Sequence, residues 1–299
     1  MTNTVKTLQP RPEEEVYPYR RVWRSITIEN SILVVVVLAL IFIPSFLGIQ
    51  IPKSFQQPIN VVLSLLPAIL WMIFSRLQER RAIQPRKGLL SVAIVSALVA
   101  NAIGIPLVQD FLKVGEWLSL SSAIDRIISY TLTVGMIQEL LKYLVIRYVA
   151  WPGQFRIRLD GVAFGVASAI GYATVQNLHF AIDHNIAVDA MAQRLLITMA
   201  MHMGASVIIS YGLSELRFGT PTPFMMPFML GVGAFIVGVA VPVRAGLVNA
   251  SFSLNGVFTR PTFGLGFSLV LLVAPMLLMA WLYDNAERRE QERLASMEL

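Results

Sequence analysis

Two apolar stretches of this sequence each carry ionisable residues near their centres. Glu139 lies in the middle of the stretch Ile127–Ala150, with Lys142 three residues later on the same helical face, and His202 lies near the midpoint of Ala192–Ser214. Each stretch is long enough to span a bilayer, where a charged side chain costs at least about 2.5 kcal/mol and is mostly found at functional sites. A carboxylate and an imidazole at similar depth have the chemistry to activate water or to bind a metal ion. We therefore expect Glu139 and His202 to belong to one site inside the membrane.

A stripe of small and polar residues follows one face of the helix predicted between those two. Gly161 and Gly165 form a GxxxG pair, and Gln176 and His179 continue the same face. Close helix packing alone is a sufficient explanation for the glycines, and it would turn the polar groups of the stripe toward a neighbouring helix. We predict that the stripe packs against a helix rather than lipid, and that Gln176 lies in the same pocket as the ionisable residues.

The composition predicts an all-α, polytopic membrane protein. Of the 299 residues, 56% are hydrophobic and only 14% are charged, whereas soluble domains carry about 25% charged residues. There is no cysteine, so a metal would need nitrogen and oxygen ligands. We predict a single transmembrane domain, residues 31–283, between tails of residues 1–30 and 284–299. Eight spans are expected: Ser31–Ile49, Pro58–Ser75, Gly88–Val108, Ile127–Ala150, Asp160–Ile182, Ala192–Ser214, Phe224–Gly246 and Phe263–Tyr283.

The distribution of the basic residues predicts the orientation of these spans. With eight spans, 17 of the 24 Lys and Arg fall on the side that holds both termini, six fall on the other side, and Lys142 lies within the membrane. Such an excess marks the cytoplasmic face. We therefore expect a multi-pass protein of the cell membrane with both termini in the cytoplasm. The net charge of +6 is then explained by topology, with the lipid bilayer rather than nucleic acid as the partner.

Three segments occur in a fixed order: Gln138–Lys142, Asp160–Asn177, and Arg194 followed by His202. Together they resemble the motifs of the PrsW-type intramembrane proteases, within the larger CPBP group that includes the CaaX prenyl endopeptidases and Abi proteins. The segment Gln138–Lys142 (QELLK) resembles the EExxK motif of that family. The segment Asp160–Asn177 resembles its DG…GFAxxEN stretch, and Arg194 followed by His202 resembles its third motif, an arginine leading to a membrane-embedded histidine. The PrsW-like core would cover about residues 127–214.

The resemblance implies a glutamate-and-histidine site that activates water to cut a peptide bond inside the membrane, with a divalent metal such as zinc as a possible cofactor. In that reading Glu139 is the base, His202 is a metal ligand or stabilises the transition state, and Asn177 stabilises the oxyanion or orients another group. A metal would be bound by His202 and Glu139, with His179 as a replacement for a lost ligand.

The sequence also departs from the family pattern at two acidic positions. Gln138 and Gln176 stand where the family has glutamates, whereas Lys142 and Arg194 are retained motif residues. An amide can hydrogen-bond a water molecule but cannot take its proton, and it is a poor zinc ligand.

Two other classes of function therefore stay open beside proteolysis. The first is a pseudoprotease that binds transmembrane segments of other proteins, or serves as a subunit of a membrane complex, without cutting. The second is a proton-coupled transporter in which Glu139, Lys142 and His202 relay protons. The metal content of the purified protein and of Glu139→Gln and His202→Ala variants would discriminate between an enzyme and a scaffold.

Overall fold

The structure is a computed structural model that describes residues 22–49, 51–80, 85–118, 122–219, 222–249 and 260–297. Throughout these ranges the regular secondary structure is helical. A short helix, Val114–Leu118, accompanies eight long ones, named α1 to α8 here. Their bounds are: α1, Val22–Leu47; α2, Lys53–Trp71 continued by Met72–Arg76 and Leu77–Glu79; α3, Leu89–Val99 continued by Ala100–Gly104 and Leu107–Phe111; α4, Ala123–Tyr130 continued by Thr131–Gly135 and Met136–Val149; α5, Arg158–Asp183; α6, Val188–Phe218; α7, Met225–Asn249; and α8, Arg260–Met297.

The predicted all-helical membrane bundle is confirmed, since each of the eight expected spans falls on one of these helices. Six of them, α1 to α3 and α6 to α8, are long and apolar enough to cross a membrane by length and composition. The other two, α4 and α5, carry most of the polar residues of the predicted site, which lower their mean hydropathy. Two helices also extend into the predicted tails: α1 begins at Val22 and α8 continues to Met297. Residues 1–21 and 298–299 of those tails lie outside the described residues.

Successive long helices run in opposite directions, so their connections alternate between two ends of the bundle. Arg158 at the start of α5 pairs with Glu215 near the end of α6. We name this the terminal end, because Trp23 at the start of α1 and Tyr283 in the second half of α8 lie there too. The side-chain amide of Asn60 donates to the carbonyl of Ile186, in the α5–α6 connection at the opposite end, at 2.9 Å.

The centre of the bundle is α6, which is buried along its whole apolar window and contacts α1, α2, α4, α5, α7 and α8. Its tightest neighbour is α5, because glycines remove the side chains that would separate the two helices. A Cβ at Gly165 would lie 2.5 Å from the hydroxyl of Ser210 and 2.8 Å from the carbonyl oxygen of Ser206. Gly161 is similarly close to Ser214. The prediction that this glycine stripe packs against a helix is thus confirmed.

A buried ionic cluster fixes the start of α5 at the terminal end. The Asp160 carboxylate accepts the backbone N–H groups of Arg156 at 2.7 Å and Ile157 at 3.0 Å, and so caps the helix. Its other oxygen lies 2.5 Å from Nε of Arg86, whose guanidinium also pairs with Glu79 at 3.0 Å. These contacts tie α5 to the end of α2 and to the start of α3.

Candidate functional site

The acidic and basic residues of the site lie on α4, directly after its π-helical turn Thr131–Gly135. Gly135 ends this turn at a point where α7 comes very close, because a Cβ there would collide with the backbone carbonyl of Ala234. The close contact holds α4 in place against α7. The following turn then directs Glu139 and Lys142, three residues apart, toward α6.

Lys142 is the centre of the polar contacts. Its Nζ lies 2.6 Å from Oε1 of Glu139, 3.1 Å from Nδ1 of His202 and 2.9 Å from the hydroxyl of Ser206. Glu139, Lys142 and His202 are each at most 1% exposed. All three donors of the ammonium are therefore directed at acceptors, and the two opposite charges neutralise each other in the buried centre of the bundle.

Both ring nitrogens of His202 are engaged. Nδ1 faces Lys142, and Nε2 lies 2.6 Å from Oε1 of Gln176 on α5. Tyr172, one turn before Gln176, packs against the imidazole with ring centroids 5.2 Å apart. The imidazole is thus held between α4 and α5 by partners on two sides.

These partners also decide which nitrogen of His202 carries the proton. An ammonium group has donors only, so Nδ1 must accept from Lys142. In a neutral imidazole the proton then resides on Nε2, which donates to the side-chain carbonyl of Gln176. A glutamine at position 176 therefore satisfies the histidine without adding a second negative charge.

Gln138 and Asn177 are both buried, but neither joins this network. The Gln138 side-chain oxygen and both amide atoms of Asn177 have no hydrogen-bond partner among the described residues. The backbone carbonyl of Asn177 accepts from the hydroxyl of Ser64 on α2 at 3.2 Å. Asn177 consequently lies at the side of α5 that faces α2, one residue away from the histidine contact.

His179 and Arg194 lie further toward the opposite end and have other partners. Nε2 of His179 lies 2.7 Å from the side-chain oxygen of Asn101 on α3. The guanidinium of Arg194 stacks on the ring of Phe180, with its Cζ 3.6 Å from the ring centroid. The structure thus brings together Glu139, Lys142, Gln176 and His202, whereas His179, Asn177 and Arg194 make their contacts elsewhere.

Two contributors, Ser206 and Tyr172, were not among the residues expected at the site. The sequence held a signal for each, because Ser206 follows His202 by four residues and Tyr172 precedes Gln176 by four. That spacing places both pairs on common helix faces. Asn101, the partner of His179, had no such signal, since it lies on a different helix.

The donors of the site do not form a metal-binding set in this arrangement. Within the described ranges no group of three or more His, Cys, Asp or Glu side chains is placed to hold a metal ion. Zinc generally takes at least three protein ligands, and this site offers a carboxylate and an imidazole with an ammonium between them. A metal on either nitrogen of His202 would have to displace Lys142 or the proton donated to Gln176. The residues present therefore do not fit a bound metal ion.

Comparison with known proteins connects this site to a family. Residues 84–280 match the family described as "PrsW family intramembrane metalloprotease". The chain is 24% identical over 160 residues to "Protease PrsW" of Clostridioides difficile (strain 630), covering 52% of this chain and 66% of that protein. It is 28% identical over 88 residues to "Protease PrsW" of Bacillus subtilis (strain 168), covering 29% of this chain and 39% of that protein. The chain thus spans less than two thirds of the length of either relative. No solved structure matches it.

The family match covers more than half of the chain and includes every residue of the network around Lys142. It also agrees with the order of the three motifs and with the bundle of membrane helices. This chain is a multi-pass membrane protein that belongs to the PrsW family of intramembrane metalloproteases.

Proposed function

We propose that this protein hydrolyses peptide bonds of membrane-embedded segments, with Glu139 as the general base. The observation that carries the proposal is the placement of Glu139 and His202, from two different helices, with Oε1 and Nδ1 only 3.9 Å apart in the buried centre of the bundle. A carboxylate in such a position has the reach to take a proton from a water molecule. Family membership supports the same reaction class.

The residues support a reaction without any step through a metal ion. Glu139 takes a proton from water as the water oxygen bonds to the carbonyl carbon of the peptide. Lys142 donates a hydrogen bond to the oxygen that becomes negative, because its ammonium is the buried donor beside Glu139. The C–N bond then breaks, and the departing nitrogen takes the proton back from Glu139. His202 holds Lys142 in place throughout.

A second candidate is a protein that binds transmembrane segments without cutting them. One observation favours it: both ring nitrogens of His202 are already engaged, Nε2 by Gln176 and Nδ1 by Lys142. A histidine in this state has no nitrogen free to ligate a metal ion.

Cleavage of transmembrane peptides by the reconstituted protein separates the two candidates. Wild type and Glu139→Gln would be placed in liposomes with a set of hydrophobic peptides, and products identified by mass spectrometry. We expect the variant to cut about 10²–10⁴-fold more slowly, since the base is lost while the shape is kept. The exposed Glu116→Gln should cut like wild type. Peptides that bind wild type but are released intact would refute the peptidase and support the second candidate.

The same assay decides whether zinc takes part. Added zinc or a chelator should leave the rate unchanged, because the donor set does not include a third ligand. A chelator-sensitive, zinc-restored rate would show that binding of substrate rearranges Lys142 and completes a metal site.

A further inference from the structure

Two arginines lie near the opposite end of the bundle without an acidic partner in the part of the chain that the structure describes. Arg194 on α6 is partly buried, and its guanidinium stacks on the ring of Phe180 at 3.6 Å. Arg244 on α7 is also partly buried and donates to the side-chain oxygen of Gln193 at 3.2 Å. Nε of each arginine is buried and has no hydrogen-bond partner among the described residues. Each guanidinium therefore retains unused donors.

No negative charge in the described part of the chain compensates this pair. Neither guanidinium lies within about 4 Å of a carboxylate there, the distance that defines an ion pair. The two arginines are instead within electrostatic range of each other. Residues 250–259, which follow α7 in the sequence, include neither Asp nor Glu. Two like charges at the edge of a low-dielectric bundle repel each other, and a bound anion would relieve the repulsion.

Arg194 lies between the same helices as the candidate site, nearer the opposite end of the bundle. Arg194 precedes His202 by eight residues on α6, which corresponds to about 12 Å along the helix axis. Phe180, which supports its guanidinium, follows Gln176 by one turn on α5. Tyr130 of α4 is within electrostatic range of Arg194. The three helices that form the site around Lys142 thus also surround Arg194.

A lipid headgroup is the ordinary partner of an arginine at this depth, since long basic side chains usually extend along the helix toward the membrane surface. Arg194 has a different conformation, because it stacks on Phe180 of α5 and its Nε is buried. Its unused donors are therefore placed where a ligand between the helices would meet them. This geometry favours a ligand that enters the site over one that stays at the surface.

We propose that Arg194 and Arg244 bind a carboxylate of the peptide substrate, an Asp or Glu about four residues from the bond to be cut. The spacing follows from the distance of about 12 Å and a rise of about 3.3 Å per residue of extended peptide. Guanidinium groups bind carboxylates with paired hydrogen bonds, which would fix the peptide in register with Glu139. The assignment of a peptide as the ligand rests on the proposed peptidase function.

Peptide binding to a catalytically disabled protein tests this proposal independently of cleavage. The Glu139→Gln protein would be placed in phosphatidylcholine nanodiscs with a fluorescent hydrophobic peptide that carries one Glu four residues from its centre. A second peptide would carry Gln at that position. We expect the Glu peptide to bind about tenfold more tightly, because a charged carboxylate forms stronger hydrogen bonds with a guanidinium than a neutral amide does.

Substitution of the arginines should remove this preference. With Arg194→Gln or Arg244→Gln added, the two peptides should bind equally, whereas the exposed Lys53→Gln at the same end should leave the preference intact. If a glutamine variant does not fold, Arg194→Lys keeps the charge but loses the paired geometry and should reduce the preference.

Two results would overturn the proposal. One is equal binding of the Glu and Gln peptides by the protein with both arginines. The other concerns the Glu139→Gln protein that keeps both arginines: its preference disappears when phosphatidylglycerol is added, and it retains that lipid only when Arg194 and Arg244 are present. The pair would then be a site for lipid phosphate. Failure of the peptidase proposal alone would leave the peptide preference in place.

Discussion

At the scale of single residues, Lys142 determines the character of the site. Its ammonium compensates Glu139 on its own helix and reaches His202 and Ser206 on another. A lysine near the centre of a span is usually expected to extend its charge toward the surface. Here it is 1% exposed and directed inward, because three acceptors surround it. The site therefore holds one positive and one negative charge, with a neutral histidine beside them.

Removal of Lys142 should destabilise the protein strongly. Lys142→Met leaves the Glu139 carboxylate buried without an opposite charge, which costs about 3–5 kcal/mol in typical buried pairs. We expect a clearly lower Tm in detergent, and a recovery of much of the loss in the double variant Glu139→Gln/Lys142→Met. Lys113→Met, at an ion pair that is more than half exposed, should change stability by less than about 1 kcal/mol. An unchanged Tm for Lys142→Met would mean that the Glu139–Lys142 pair is not buried in the folded protein.

Restoration of one acid should create affinity for zinc. Gln176→Glu places a second carboxylate at the position that contacts Nε2 of His202, which with Glu139 makes three potential ligands. We expect zinc to raise the Tm of this variant, through preferential binding to the folded form, and to leave wild type unchanged. Gln57→Glu adds the same charge at an exposed position and serves as the control. A large zinc-dependent rise in wild type would show that the native residues already bind metal.

At the scale of helices, close packing of α5 on α6 sets the geometry of the site. Gln176 and His202 meet because glycines further along α5 allow the two backbones to approach. Gly165→Ala should therefore lower stability by about 1–3 kcal/mol, the usual range for overpacking, since the new methyl group would press on Ser210 and Ser206. Gly231→Ala in α7 has open space around it and should be neutral or mildly stabilising. Equal melting temperatures of the two variants would contradict this packing.

Much of the helical arrangement could be predicted from the sequence, but only part of the site. Hydropathy locates the eight helices, and helical periodicity together with depth places Glu139, Gln176 and His202 near one another. The order in which helices neighbour each other is not encoded in either pattern. For that reason the partner of His179, which is Asn101 on α3, could not be anticipated, nor could the contact of Lys142 with His202.

At the scale of the whole molecule, the eight alternating helices place the first and last described residues, Val22 and Met297, at the same end of the bundle. This terminal end is rich in basic residues. We predict that the protein lies in the cell membrane and that this end faces the cytoplasm. Reporter fusions at Leu299 and near His184 would test the orientation. We expect a cytoplasmic signal at Leu299 and an external one near His184. The reverse pattern would require every helix to run the other way, and would place Arg194 and Arg244 on the cytoplasmic side.

The location of Glu139 and Lys142 on a single helix has a consequence for biosynthesis. Because the two side chains are three residues apart on α4, they can neutralise each other as soon as that helix forms. The helix can then leave the translocation channel with its two central charges neutralised, before α5 and α6 have been synthesised. The contact with His202 can form only later, when α6 arrives. Insertion of α4 into lipid and completion of the site are thus separate events, and a defect in His202 should disturb the second without preventing the first.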